Sequence, residues 1–124
     1  MSEQLKLPGL DKLTADYPGR KYDAEKEMLD LLPSEAMLAL GKVYTFGAKK
    51  YSAHNWRAGI AWSRIWAAIL RHGFKFWAGE DIDPESGLPH VDHMAWNAIA
   101  LAQYFRDRRN FDDRYVTPTS NRNH

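Results

Sequence analysis

Three stretches of the chain place apolar residues at the spacing of a helix, and together they predict the architecture. In the first, about residues 34–51, apolar and small side chains recur at steps of three and four. The second, about residues 62–78, carries a wide apolar stripe opposite a basic face. The third, about residues 89–110, begins at a proline and is mostly apolar. Since no stretch sustains the alternation of a strand, the predicted fold class is all-α, a small helical bundle with three main helices.

The third predicted helix is apolar on nearly all sides. Between Met94 and Phe105 only Asn97 and Gln103 are polar. A helix of this kind needs neighbours on most sides, and one chain of 124 residues offers few of them. The pattern therefore predicts a homo-oligomer, a dimer or a tetramer, that buries this last helix between protomers.

The chain is short enough for one domain, with less regular segments at both ends. Residues 1–19 contain two prolines and two glycines without a sustained period, and they are predicted to form an N-terminal arm. Residues 20–110 are the predicted helical domain. The polar residues 111–124 are predicted to form a flexible tail.

Composition narrows the range of partners. The formal net charge of +1 gives no overall attraction to nucleic acid or to a membrane surface, so neither is expected as a partner. No apolar run approaches the roughly 20 residues that span a bilayer. The chain has no cysteine, which excludes disulfides and thiolate metal sites and fits a cytoplasmic protein. Five tryptophans and six tyrosines exceed what a small core needs, so some rings are predicted to line a pocket or an interface.

The start of the third helix carries a polar line that is predicted to point into the bundle. His90, His93 and Asn97 lie within a narrow wedge of the helix, whereas Asp92 falls on another face. His72 on the second helix is a possible fourth member of this group. Two histidines three residues apart can share a metal ion, contact a ligand or satisfy backbone groups at a helix start, and the residues leave these roles open.

The segment at the end of the first helix combines basic and aromatic residues. Lys49 and Lys50 lie close to a glycine and can contact phosphates. Tyr51 or Trp56 can stack on a base, and Asn55 can hydrogen-bond to a base edge. The alternative is a solvated helix end, where the lysines complement the helix dipole.

Two further groups add charged candidates. Arg71 lies on the basic face of the second helix and belongs either to a solvated surface or to a phosphate clamp. Glu80, Asp81 and Asp83 lie in the loop before the third helix, where close carboxylates fit either Mg²⁺ binding or turn and capping chemistry. The candidate metal ligands of the chain are Asp81, His90 and His93.

An ordered series of short motifs runs from Arg20 to about Phe105, namely RKYD, LDLLP, FGAKKY, NW, RH and, most specifically, GEDIDPESGLPH. Over this range, most of the chain resembles a phage protein family described as the N-terminal domain of dATP/dGTP diphosphohydrolase. Such proteins occur alone and fused ahead of a MazG-like domain. The resemblance implies a phage origin, the cytoplasm of an infected bacterium, a helical fold and work on purine nucleotides.

MazG-like pyrophosphohydrolases bind Mg²⁺ through carboxylates on their helices, and the third helix is similar to one of those helices. His90 and His93 stand where the resemblance places acids, and imidazole nitrogens disfavour Mg²⁺. If the protein is an enzyme, it therefore needs a different metal, or Mg²⁺ or Mn²⁺ held by the candidate catalytic acids Glu80, Asp81 and Asp83.

Three functions follow as hypotheses. The preferred one is a protein that binds a purine nucleotide or a nucleotide-derived signal, either sequestering it or acting on dATP or dGTP. The alternative is a metal-dependent pyrophosphohydrolase that releases a monophosphate and pyrophosphate. The third is a helical interaction module without catalysis. The predicted ligand-binding residues are Lys49, Lys50, Tyr51, Asn55, Trp56, Arg71, His72, His90, His93 and Asn97.

Overall fold

A computed structural model describes residue 19 and residues 24–118, and over these residues the fold is helical. The chain divides between Leu32 and Pro33 into two units. The described part of the first unit contains a short 3-10 helix, Leu29–Leu31. The domain division predicted from the sequence stays a prediction, because residues 1–18 of the predicted arm and residues 119–124 of the predicted tail lie outside the described residues.

The described part of the second unit contains three α-helices, which confirms the predicted fold class. They are α1 (Ser34–Lys50), α2 (Trp62–Trp77) and α3 (His90–Asp107). The third helix ends three residues earlier than predicted, because the backbone turns out of the helical region at Arg108 (φ −137°, ψ 42°). In the described residues, extended pairing is limited to an isolated bridge between Ile82 and Pro89.

Two short 3-10 helices complete the second unit. Asn55–Ala58 lies between α1 and α2, and Arg109–Phe111 follows α3. Gly59 ends the first of them with φ 122°, a conformation that favours glycine.

Helix α3 lies at the centre of the packing, since it contacts α2 most extensively and α1 as well. The core between α2 and α3 is built from Trp62, Ile65, Ala100 and Tyr104, each at most 6% exposed. The Tyr104 hydroxyl donates a hydrogen bond to the backbone carbonyl of Trp56. This bond fixes the 3-10 helix before α2 against the last helix.

The buried side of α3 is polar at its beginning. His90, His93 and Asn97 are buried with 0%, 8% and 7% exposure, on the same line as the core residue Tyr104. The Asn97 amide donates to the His93 carbonyl over 2.8 Å. Buried polar side chains require partners, and the site described below supplies them.

Large apolar side chains remain exposed on the outer face of α2. Trp66, Leu70, Phe74 and Trp77 follow one another at helical spacing and are 36–87% exposed. Exposed apolar patches of this kind are typical of interaction surfaces. The predicted oligomer stays a prediction, and this stripe lies on α2 rather than on the last helix. None of the helices in the described residues combines the length and apolarity that crossing a membrane requires.

Candidate functional site

Three histidines meet where α2 and α3 pack together, and we call them the histidine cluster (His72, His90, His93). The Nδ1 atoms of His72 and His90 are 2.9 Å apart. The rings of His72 and His93 stack, with centroids 4.6 Å apart and an interplanar angle of 4°. The structure thus brings together three of the residues that the sequence predicts for one site.

The loop between α2 and α3 supplies carboxylates to this cluster. Glu80 Oε1 lies 3.0 Å from His90 Nε2, so the imidazole N–H donates to the carboxylate. The backbone N–H of His90 donates to the carbonyl of Asp81 over 2.9 Å. Asp81 therefore holds the start of α3 through its backbone, while its side chain is exposed.

Asp83 and Ser86 form a network with His93. The Ser86 backbone N–H and hydroxyl both donate to Asp83 Oδ2, over 3.0 Å and 2.8 Å. The same Ser86 Oγ lies 2.6 Å from His93 Nε2 and accepts a bond from the backbone N–H of Leu88. Because the hydroxyl has only one proton and gives it to Asp83, His93 Nε2 must donate its own proton to Ser86. His93 thereby anchors the loop.

The electrostatics of this site favour a neutral His72 and a neutral His93 beside an ionised Asp83. Burial lowers the pKa of His72, and the nearby rings of His93 and His90 lower it further. Burial likewise lowers the pKa of His93, although the Asp83 carboxylate opposes this effect. Burial alone raises the pKa of Asp83, but the two hydrogen bonds from Ser86 outweigh it and leave the pKa below its usual value.

One potential ligand atom from each of His72, Asp83 and His90 falls within 4.8 Å of the others. The sequence proposes Asp81, His90 and His93 as metal ligands. In the structure His93 Nε2 bonds to Ser86, and the Asp81 side chain is exposed. Mg²⁺ prefers an all-oxygen set with several waters, so two imidazole nitrogens and one carboxylate do not fit it.

The lowered histidine pKa values make the stability of the metal-free protein depend on pH. In the unfolded chain the two histidines titrate near 6.5, whereas in the folded protein His72 and His93 take up protons only at lower pH. The unfolded state therefore binds more protons below about pH 6.5, and the free energy of unfolding falls as the pH falls through this window. Asp83 acts at lower pH, where its stabilisation is lost as the carboxylate is protonated.

We expect a urea midpoint that is clearly lower at about pH 5.5 than at about pH 7.5, measured by circular dichroism after chelator treatment. His72→Gln should flatten this dependence, because glutamine does not titrate. His54→Asn, which removes an exposed histidine, should keep the wild-type slope. An identical slope in His72→Gln and the wild type contradicts the pKa assignment.

A second feature is a groove of about 360 Å³ between the end of α1 and the 3-10 helix Asn55–Ala58, which we call the aromatic groove. Four aromatic side chains line it, together with several polar, aliphatic and small residues: Tyr44, Tyr51, Trp56 and Trp96, then His54, Asn55, Arg57, Ile60 and smaller side chains. The rings of Tyr44, Trp56 and Trp96 meet edge to face with centroids 5.8–6.0 Å apart. Such a rigid, mostly apolar groove with a few polar groups is typical of small-molecule sites.

Trp56 and Tyr51, the two residues predicted to stack on a base, differ in how much of the ring a ligand can reach. Trp56 stacks on Tyr104 with centroids 6.0 Å apart, and the Arg57 guanidinium lies 4.6 Å from the Trp56 centroid. The Trp56 ring is thus largely engaged within the protein. Tyr51 is 64% exposed, so it is the ring that offers a face to a ligand.

The other predicted ligand-binding residues lie outside both the histidine cluster and the aromatic groove. Lys50 pairs with Glu85 over 2.5 Å and thereby ties the end of α1 to the loop before α3. Lys49 is exposed on α1. Arg71 and Asn97 line a second, more open cavity of about 550 Å³. Among the described residues, the lining of neither cavity includes the histidine cluster or the two lysines. The other eight predicted ligand-binding residues therefore fall into three neighbourhoods, namely the aromatic groove, the second cavity and the histidine cluster.

Several residues of these sites were not predicted from the sequence. Arg57 follows Trp56 directly, and a basic residue beside a candidate stacking ring was an available signal. Ser86 lies in the GEDIDPESG loop, for which the sequence leaves Mg²⁺ binding or turn and capping chemistry open, and neither interpretation predicts its bond to His93. Tyr44 and Trp96 reach the aromatic groove from α1 and α3, and no local pattern links them.

The comparisons with known proteins agree on one family. The family described as dATP/dGTP diphosphohydrolase, N-terminal, matches residues 16–114. A protein of Salmonella phage PMBT28, named dATP/dGTP diphosphohydrolase, is 30% identical over 96 residues. These residues are 77% of this chain and 33% of the relative, so the chain spans about a third of that protein's length. No solved structure matches the chain.

Proposed function

This chain belongs to the family described as dATP/dGTP diphosphohydrolase, N-terminal, and on that premise we propose that it binds a purine deoxynucleoside triphosphate and hydrolyses it to the monophosphate and pyrophosphate. The family name and the name of the phage relative support the substrate class. The aromatic groove, with an exposed ring beside an amide and a guanidinium, is the observation that carries the proposal.

The base is accommodated by the polar and aromatic residues of the aromatic groove. Tyr51 offers an exposed ring face, and stacking on such a ring contributes about 1–3 kcal/mol per base. Asn55 lines the same groove and can donate to and accept from the edge of a purine. Trp56 and Trp96 form the wall rather than the stacking surface.

The phosphates require positive charge at the mouth of the aromatic groove. Arg57 lines the groove and can bind a phosphate through two parallel N–H groups. Lys49 is exposed at the end of α1, two residues before Tyr51. Lys50 is the weaker candidate, because its ammonium group already bonds to Glu85.

Hydrolysis needs a group that accepts a proton from the attacking water. Among the three predicted catalytic acids, Glu80 is the one that is both accessible to solvent and held in a fixed orientation. Its side chain is 45% exposed, and His90 Nε2 holds its Oε1 at 3.0 Å. Asp83 lies deeper and accepts two hydrogen bonds from Ser86, whereas the Asp81 side chain is exposed.

Binding without turnover is the second candidate. The chain spans only a third of the length of its phage relative, so in longer proteins of this kind the remaining two thirds can supply the chemistry. A protein that only binds would sequester a purine nucleotide or a nucleotide-derived signal.

Separate measurements of binding and turnover distinguish these functions. The full chain is titrated with dATP, dGTP and dCTP by calorimetry, and each mixture is then analysed for monophosphate and pyrophosphate, with and without added Zn²⁺, Mn²⁺ or Mg²⁺. We expect purine-selective binding and product formation that Glu80→Gln abolishes. Binding without product would establish sequestration instead, and absence of purine binding would overturn the proposal.

Tyr51→Ala is expected to weaken purine nucleotide binding by about 5- to 150-fold, which corresponds to a lost stacking contribution of about 1–3 kcal/mol. The matched control is Tyr115→Ala, since Tyr115 is 84% exposed and is not among the groove residues. Calorimetric dissociation constants for dATP should change in the first variant only. Equal affinities of the two variants contradict the stacking role of Tyr51.

A further inference from the structure

We propose that His72, Asp83 and His90 form a binding site for one divalent transition-metal ion of the zinc type, with Glu80 as the carboxylate that orients His90. This site goes beyond nucleotide binding and can be measured in the absence of any nucleotide. Four independent features of the structure support it.

The first feature is the convergence of donor atoms. One ligand atom from each of the three residues lies within 4.8 Å of the others, and the two Nδ1 atoms are 2.9 Å apart. Ligand atoms around a tetrahedral zinc ion, at bond lengths of about 2.0–2.1 Å, are roughly 3.3 Å from one another. To enclose an ion, the separations between ligand atoms therefore need to change by at most about 1.5 Å, which small side-chain rotations supply.

The second feature is the protonation pattern of His90. Its Nε2 faces the Glu80 carboxylate at 3.0 Å and carries the proton, so its Nδ1 presents a lone pair to His72. A histidine that donates its outer N–H to a carboxylate while its other nitrogen faces inward is the arrangement that orients metal ligands. Metal binding then requires that His72 carry its proton on Nε2 rather than Nδ1, with no net change in charge on the two rings.

The third feature is a largely buried carboxylate. The Asp83 side chain is 13% exposed, and its Oδ2 accepts two hydrogen bonds from Ser86. Among the described residues its ion-pair partner is His93, whose Nε2 lies 3.7 Å from Oδ2, and no lysine or arginine pairs with it. A largely buried carboxylate without a lysine or arginine partner is costly, and a divalent cation at this position offsets the cost.

The fourth feature is the rigidity of the surroundings. His93 stacks on His72 and anchors Ser86, and the loop carries backbone bonds from Asp83 to Leu88 and from Gly87 to Asp83 of 2.9 Å and 2.8 Å. These contacts hold the ligand side chains before an ion arrives. His90 is fully buried, whereas His72 is only partly buried, so an ion can approach from the His72 side.

The donor set identifies the class of ion. Two imidazole nitrogens with one carboxylate suit zinc and its first-row neighbours, and this set leaves a fourth position for water. The mismatch with Mg²⁺ follows from the same donors, because Mg²⁺ favours oxygen ligands.

Cobalt binding tests the site directly. The chelator-treated full chain is titrated with Co²⁺, the visible ligand-field absorption is followed, and Zn²⁺ is then added as a competitor. We expect one Co²⁺ per chain and its displacement by Zn²⁺. Glu80→Gln should weaken binding by about 10- to 100-fold, as expected for a residue that orients a ligand. His72→Gln and Asp83→Asn, which remove ligands, should weaken it further.

The matched control is His54→Asn, which removes an exposed histidine outside the cluster and tolerates its positive φ of 66°. It should bind Co²⁺ like the wild type. Circular dichroism verifies the fold of each variant, and His72→Gln carries the test if Asp83→Asn disturbs the loop. A wild type without Co²⁺ absorption, or equal Co²⁺ affinity in the wild type and folded His72→Gln, would overturn the proposal whatever the outcome of the nucleotide titrations.

Discussion

Replacing Tyr104 with alanine is expected to lower the free energy of unfolding by about 3–5 kcal/mol. Tyr104 is 1% exposed and belongs to the core between α2 and α3. Its ring stacks on Trp56, and its hydroxyl donates to the Trp56 backbone carbonyl. The substitution therefore leaves a cavity in a small core and removes the partner of a carbonyl in the 3-10 helix Asn55–Ala58.

Urea unfolding followed by circular dichroism measures this loss. Tyr104→Phe separates its two parts, because phenylalanine keeps the ring but leaves the carbonyl without its donor, at an expected cost of about 1–3 kcal/mol. Tyr115→Ala, at a position that is 84% exposed, should change stability by less than about 0.5 kcal/mol. A cost below about 1 kcal/mol for Tyr104→Ala contradicts the assignment of Tyr104 to the core.

Tyr104 also connects stability to the proposed function. The same ring that fills the core supports Trp56, which forms a wall of the aromatic groove. Tyr104→Phe should thus weaken nucleotide binding less than Tyr51→Ala does, since it keeps the ring that supports Trp56 and removes only the hydrogen bond to the Trp56 carbonyl. The groove therefore depends on the contacts by which Tyr104 of α3 holds Trp56 in the segment between α1 and α2.

The sequence predicts the helices well because their signal is local. The apolar stripe from Trp62 onward and the apolar run from Met94 to Phe105 each repeat at helical spacing, and both segments form helices. Burial follows the pattern less closely, since Trp66 and Trp77 of the stripe are 55% and 87% exposed. The polar line His90, His93, Asn97 was predicted to point inward, and all three are buried. The other predicted helix bounds agree to within one residue, and the end of α3 differs by three, because the backbone at Arg108 leaves the helical region.

The partners within the site depend on contacts between distant parts of the chain. His72 and His90 are 18 positions apart, and Lys50 and Glu85 are 35 apart. Helical periodicity places each residue on a face of its own helix, but it does not determine which faces meet or how far one helix slides along another. In the sequence Asp83 is one of several loop carboxylates, and the structure shows that it is 13% exposed and bonded to Ser86.

For the same reason, the sequence does not show that the aromatic groove and the histidine cluster are separate sites. Tyr51 and His93 appear as members of one pocket in the sequence, because both are polar or aromatic residues at helix ends. In the structure Phe46 lies against His93, with ring centroids 6.3 Å apart, while Tyr51 faces the groove. Successive faces of α1 thus serve different sites.

Gly59→Ala is expected to lower the free energy of unfolding by about 2–6 kcal/mol, which combines backbone strain of about 1–3 kcal/mol with overpacking of similar size. Gly59 has a φ of 122°, a backbone conformation that residues with a Cβ rarely adopt. A Cβ at this position would also meet three carbons of the Phe111 ring at 3.0 Å or less. Phe111 packs against the core, so the ring cannot move away without disturbing it.

A second glycine provides a control with the opposite sign. Gly41 lies within α1, and a Cβ there meets nothing within 4 Å. Gly41→Ala should therefore raise the free energy of unfolding by up to about 1 kcal/mol, because alanine favours the helix. Urea unfolding of both variants measures the contrast, and a Gly59→Ala protein as stable as the wild type would contradict the close packing of Phe111 on this turn. The opposite signs matter, since a general intolerance of alanine would destabilise both variants alike.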